Sequence, residues 1–390
     1  MITVNDALAQ LFALVTPLPV ETVLLAQANG RVLAQDVTAR RDQPPFAASA
    51  MDGYAISGAD VAPGAQFIVI GEAAAGRGFS GTVANGQAAR IFTGAPLPQG
   101  TDHVVIQEDV TREGDTITLG DNLDSQSHVR PAGAAFRTGD SVTAPRRLTP
   151  SDIALLAAMN IAQVPVTRQP TVAIIATGDE LVQPGEDPGP DQIIASNSYG
   201  LAALVSDLGA LPRLLPIARD NVPALELAFD LASDADLIVT IGGASVGDHD
   251  LVGAVAQTKG MDRAFYKIAM RPGKPLMAGR MGDAVMIGLP GNPVSAMVCG
   301  HVFLAPVIRA MLGLGERPAR RQTLPLAHDI GPNGPREHYT RARIGPDGVT
   351  IFARQDSSLL TVLAQADCLA IRPVSDGARK KGDPIDIIRL

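Results

Sequence analysis

Three segments of the sequence combine residue types that could do chemistry on an anion. In the first, Thr177-Gly178-Asp179-Glu180, two carboxylates follow directly on an apolar run. Gly-Asp pairs also make ordinary solvated turns, and the residues alone leave both readings open. The second, Gly242-Gly243-Ala244-Ser245-Val246-Gly247-Asp248-His249-Asp250, is a glycine loop between an apolar run and a helical one. Glycine tolerates positive φ and close backbone approach, so successive N–H groups and a helix N-terminus can hold a phosphate there. The spacing is neither that of a Walker loop nor GxGxxG, so neither nucleotide fingerprint is supported. His249 has no second histidine at i±3 or i±4, so a zinc site has no support.

The third segment is double: Met270-Arg271-Pro272-Gly273-Lys274-Pro275, and Gly288-Leu289-Pro290-Gly291-Asn292-Pro293-Val294-Ser295. Asn292 as N-cap and Pro293 at the first helical position signal a helix start, hence a second place for an anion. Arg271 and Lys274 put positive charge on a turn that its prolines restrain, although the same prolines could simply punctuate a strand-to-strand turn. The candidate anion contacts are therefore Gly242, Gly243, Ser245, Gly247, Arg271, Lys274, Pro290, Asn292 and Ser295. Asp179, Glu180, Asp248 and Asp250 converge on the same edge. Carboxylates repel a phosphate unless a divalent cation lies between them, and Mg²⁺ takes one or two carboxylates plus substrate phosphate oxygens. A Mg²⁺-bridged phosphate ester or anhydride is the expected substrate class.

The elements that position these loops follow from periodicity. Strands at Thr171 to Ala176, Leu237 to Ile241 and Ala284 to Leu289 alternate with helices at Asn197 to Leu208 and Pro293 to Met311, which predicts a mostly parallel sheet covered on both faces. Ligands of such sheets sit beyond the carboxyl ends of the strands, where all three segments fall. Residues 42–139 break into short β-like runs (Gln66 to Ile70, His103 to Gln107, Thr116 to Leu119) and read as an all-β insertion. A helix capped by Asn5 and another opened by Thr149-Pro150-Ser151-Asp152 flank it, and are expected to pack together as a discontinuous helical connecting domain, 1–41 with 140–169. The α/β domain spans 170–318. Residues 319–390 return to short strands, a C-terminal β domain whose charge balance of +3 stands against −8 for the chain.

That acidity, with no long Lys/Arg run and an aromatic content of 4%, argues against nucleic acid as a partner. Cys299 and Cys368 are far apart, which excludes CxxC metal sites and a disulfide framework and suits a reducing cytoplasm. No apolar stretch of about 18 uninterrupted residues occurs, so a soluble, unexported protein is expected, without a membrane partner.

Two further stretches, Ser49-Ala50-Met51-Asp52-Gly53-Tyr54-Ala55 and Arg90-Ile91-Phe92-Thr93-Gly94-Ala95, would each pass alone for a turn. Together with Thr177-Gly178-Asp179-Glu180-Leu181, Gly242 to Gly247 and Gly288 to Ser295, in this order over essentially the whole chain, they resemble the molybdopterin molybdenumtransferase family, the bacterial MoeA type related to the gephyrin E domain. The resemblance implies a molybdopterin-binding α/β domain and an activity: molybdate enters adenylylated molybdopterin and AMP leaves. By position it makes Asp52, Thr93, Glu180, Asp220 and Asp250 catalytic, with Glu180 and Asp250 as Mg²⁺ ligands. Arg271 and Lys274 would hold molybdate or phosphate, and Arg341 and Ser357 fall where the family places anion contacts. It also implies a homodimer whose active site is shared between subunits, with a molybdopterin adenylyltransferase or molybdoenzymes as further partners. The chain departs from the family where Ala134, Ala135 and Ala195 replace acids and Arg271 replaces lysine, which changes donor geometry. Two other functions stay in view. A non-catalytic or low-activity pterin-binding scaffold is made credible by the missing acids; the adenylyltransferase shares the α/β domain but not the flanking β parts.

Overall fold

The computed structural model describes residues 1–243 and 251–390. At its centre is a six-stranded sheet of β1 (Thr171–Ala176), β2 (Leu211–Leu214), β3 (Leu237–Ile241), β4 (Met261–Tyr266), β5 (Met277–Met281) and β6 (Ala284–Leu289). The order is β2-β1-β3-β6-β5-β4. The first three junctions are parallel and the last two antiparallel. β1, β3 and β6 match the apolar runs read from the sequence, because a strand buried on both faces needs apolar residues at every position.

Six helices matter here: α1 (Val4–Ala13), α2 (Pro150–Ala158), α3 (Asn197–Asp207), α4 (Val222–Leu231), α5 (Leu251–Thr258) and α6 (Pro293–Met311). Alternate residues of β1 serve two cores. Val172 and Ile174 meet α1, α3 and α6, while Ala173 and Ile175 meet α4 and α5. The apolar length of α6 would suffice to cross a membrane, but 78% of it is buried inside the protein. Pro306, lacking an N–H, interrupts its α-helical ladder, and Gly300–Leu304 is wound as a π-helix just before it.

The first helix departs from expectation twice. Its cap is Thr3, not Asn5: the Thr3 side chain accepts from the Asp6 N–H and the Asp6 carboxylate answers the Thr3 N–H, a capping box. It also does not join α2. Val4, Leu8, Leu11 and Phe12 belong to the core of the α/β domain, whereas Leu156 of α2 packs into a separate core with Leu33, Val164 and Val166. The connecting part is thus one helix on a small sheet built from Val20–Leu24, Gln163–Thr167, Val32–Leu33 and Arg146–Arg147.

The insertion carries its own six-stranded sheet, and the C-terminal part another. The latter takes in two residues of the α/β domain. Met270–Arg271 pairs in parallel with Glu337–Gly345, Arg271 opposite His338, so the arginine turn is hydrogen-bonded into the last domain.

Candidate active site

A cavity of about 570 Å³ opens at the carboxyl ends of β1, β3 and β6, lined among others by Thr177, Gly178, Glu180, Asp220, Gly242, Gly243, Pro290 and Asn292. Backbone geometry explains its glycines. Gly242 (φ +94) and Gly243 (φ +65) occupy left-handed conformations, and a Cβ on Gly243 would lie 2.1 Å from Val252 Cγ2. Gly178 (φ +148) leaves room for the Glu180 carboxylate, which stands 2.4 Å from where its Cβ would be.

Two helices open onto this cavity. Helices α1, α2 and α4 are each capped by a side chain, those of Thr3, Thr149 and Asn221. At α3 and α6 no side chain caps the first turn, although Ser196 and Asn292 stand in the N-cap position. The leading N–H groups of α3 and the positive ends of both helices are therefore available to an anion, whereas at α6 Pro293 has no N–H and that of Val294 is taken by the Ser357 carbonyl. The Asn197 side chain donates to Gly291 O at 2.7 Å and ties the two helix starts together.

Carboxylates gather on one flank. Asp220 N–H donates to Asp179 Oδ1 at 3.2 Å, and Arg219 Nη1 donates to Asp179 O at 2.7 Å, clamping the loop that carries Glu180. The Asp220 carboxyl is held above the usual carboxylate range, first by burial, then by the charges of Asp179 and Glu180. Against the three carboxylates of Asp179, Glu180 and Asp220 this flank sets the single guanidinium of Arg219, so negative charge is in surplus among the described residues. Oxygen-only donors in negative surplus suit a hard divalent cation such as Mg²⁺. No group of three His, Cys, Asp or Glu able to hold a metal occurs among the described residues; Ser245, Gly247, Asp248, His249 and Asp250 lie outside them.

The opposite surplus lies toward the C-terminal domain. Arg341 is 0% exposed, and only its Nη2 is engaged, donating to Asp356 O at 2.9 Å. Nε and Nη1 are buried without a partner among the described residues, as is Nε2 of His338. Burial lowers the pKa of Arg341; the Asp356 carboxylate opposes this and the charge of Arg271 adds to it. His338 is pushed down to about 4 by burial and then by Arg271, Arg341, Arg372 and Arg336. A buried guanidinium with two idle N–H groups is costly unless an anion takes them. This site adjoins the cavity: the Ser357 carbonyl accepts from Val294 N–H at the start of α6 (3.0 Å), Ser358 lines the cavity wall, and Lys274 is followed by the lining residue Pro275.

Of the other sequence candidates, Asp52 and Thr93 come together, the Thr93 N–H and hydroxyl both donating to Asp52 Oδ1 at 2.8 Å. These bonds lower the Asp52 pKa. Neither residue lines the cavity of its own chain. Ser295 is buried in α6 and does not line it either. Ala195 does, so the position where the resemblance implies an acid lies on the wall itself. Sequence reasoning missed Ser358, Arg219 and the uncapped start of α3. A run of Ser196-Asn197-Ser198 at a helix start was the one visible signal for the last.

Sequence profiles cover most of the chain: the MoeA N-terminal region (domains I and II) matches residues 2–160, a probable molybdopterin-binding domain 173–310, and the MoeA C-terminal region (domain IV) 323–390. The chain is 36% identical to the molybdopterin molybdenumtransferase of a Nostoc species over 100% of its length and 94% of the relative's. Identity to the Haemophilus influenzae enzyme of the same name is 34%, over 99% and 98%. A crystal structure of the molybdopterin biosynthesis moeA protein from Pyrococcus horikoshii superposes with a TM-score of 0.85 at 25% identity, covering 100% of both chains.

Proposed function

Because the chain belongs to the MoeA family of molybdopterin molybdenumtransferases, we propose that it inserts molybdate into adenylylated molybdopterin with release of AMP. The observation that carries this reading is the pairing of one cavity flank in negative surplus with an adjoining pocket in positive surplus. The leading N–H groups of α3 and the positive end of α6 bind the pyrophosphate. Glu180, with Asp250 from the glycine loop, would hold Mg²⁺, with Asp220 beside them. That ion would supply charge neutralisation at the phosphoanhydride whose P–O bond breaks as AMP leaves. Lys274, Arg271 and Arg341 hold the tetrahedral molybdate, the idle Nε and Nη1 of Arg341 donating to its oxygens. The Arg219 clamp keeps Glu180 in place before substrate arrives.

The adenylyltransferase reading has no use for a buried arginine pocket formed with the C-terminal sheet. The scaffold reading predicts binding without turnover. Purified protein given adenylylated pterin, Mg²⁺ and molybdate should release AMP and incorporate molybdenum in equal amounts. Tight pterin binding with neither product would instead favour the scaffold.

The site is completed across a homodimer. Asp52 and Thr93 are held ready together yet do not line the cavity of their own chain, so the partner's cavity is the place for them. Mixing inactive Asp52→Ala with inactive Asp250→Ala protein should restore partial activity, since some heterodimers carry one intact site. No recovery despite proven subunit exchange would exclude sharing. The two free, buried cysteines are in keeping with a cytoplasmic protein.

A further inference from the structure

A second cavity, of about 550 Å³, lies on the far side of the same two helices. Its apolar floor is Leu204 and Leu208 around the end of α3, Ala305 and Pro306 of α6, and Ile388 of the last strand. Four arginines rim it: Arg309, Arg320, Arg321 and Arg389. No carboxylate is among the described lining residues, in a chain whose net charge is −8. Two of the four are held in place, Arg389 by Gln322 Oε1 at 3.1 Å and Arg321 by Glu337 at 3.3 Å.

Arg309 stands in the last turn of α6, where a helix dipole favours a cation by itself. The other three come from the C-terminal domain and have no such reason to converge. Arg321 already has the Glu337 carboxylate, but Arg309, Arg320 and Arg389 have no carboxylate partner among the described residues, and like charges gathered over an apolar floor repel one another unless an anion joins them. We infer that this cavity binds a small organic anion with an apolar body, the charged end among the arginines and the body on the leucine floor. Its volume suits a small molecule, and its walls are the same two helices whose starts form the first cavity.

Hexyl phosphate is the probe, with inorganic phosphate and hexanol as its two halves, and binding to the full-length protein is read by titration calorimetry. Hexyl phosphate should bind more tightly than either half. The double variant Arg309→Gln, Arg320→Gln should weaken it by about tenfold or more, because these two cations line this cavity and not the first. Thermal melting of the variant should match that of the wild type, as both side chains are exposed. Absence of binding up to about 10 mM would overturn the inference. So would unchanged affinity in the double variant, which would place the probe in the first cavity, or an affinity no better than that of inorganic phosphate.

Discussion

The acidic flank of the first cavity and the arginine pocket beside it are built on the same physical defect with opposite sign. At the flank, burial and then the charges of Asp179 and Glu180 raise the cost of ionising Asp220. In the pocket, Arg341 is buried with idle donors and Arg271 adds its charge. Other charges of the chain are paired internally: Arg168 grips Asp236 with two bonds of 2.6 and 2.9 Å, and Arg372 holds Asp376 at 2.6 Å. The contrast separates structural charges, which are matched internally, from working charges, which wait for a ligand. A cation completes one region and an oxyanion the other.

The largest effect expected from breaking this comparison is at the acidic flank. A carboxyl whose folded pKa lies above its unfolded value favours the protonated form in the fold. Its ionisation therefore costs stability, and the cost grows as pH rises from about 3.9 through the raised value. At neutral pH the whole cost is present. Asp220→Asn should reduce turnover by about a hundredfold or more while the melting temperature holds or rises. A fall in melting temperature would make Asp220 structural.

The arginine pocket should behave the same way with the sign reversed. Arg341→Met removes an uncompensated buried charge, so the ligand-free variant should be at least as stable as the parent. Half-saturating molybdate should rise by about a hundredfold, roughly 3 kcal/mol of charge-assisted hydrogen bonding. Strong destabilisation with unchanged molybdate dependence would place Arg341 in the scaffold.

How far the sequence revealed these regions depended on whether local or distant partners decide them. β1, β3 and β6 were legible end to end because burial on both faces leaves a continuous apolar signature. The cap of α1 was not, since Asn5 and Thr3 are both good caps and only the pairing with Asp6 separates them. The idle guanidinium of Arg341 was invisible, because burial by two domains leaves no mark on neighbouring residues. Asp52 and Thr93 are bonded across 41 positions, and the resemblance, not their spacing, brought them together.

A smaller effect sharpens the comparison. Ala135 lies exposed in the insertion loop, at a position where the resemblance implies an acid. If that acid serves the cation, Ala135→Asp should lower the Mg²⁺ needed for half-maximal AMP release by about tenfold, about 1.4 kcal/mol, with melting unchanged. Superimposable titrations would place the residue away from the ion.

The central claim is that the two regions bind different partners of one reaction, and it is tested by titrating each ligand against a variant of each region. With AMP release as the readout, Glu180→Gln should raise the Mg²⁺ requirement and leave half-saturating molybdate unmoved, whereas Arg341→Met should do the reverse. If both variants shift both constants together, the two regions are one undivided site and the account is wrong.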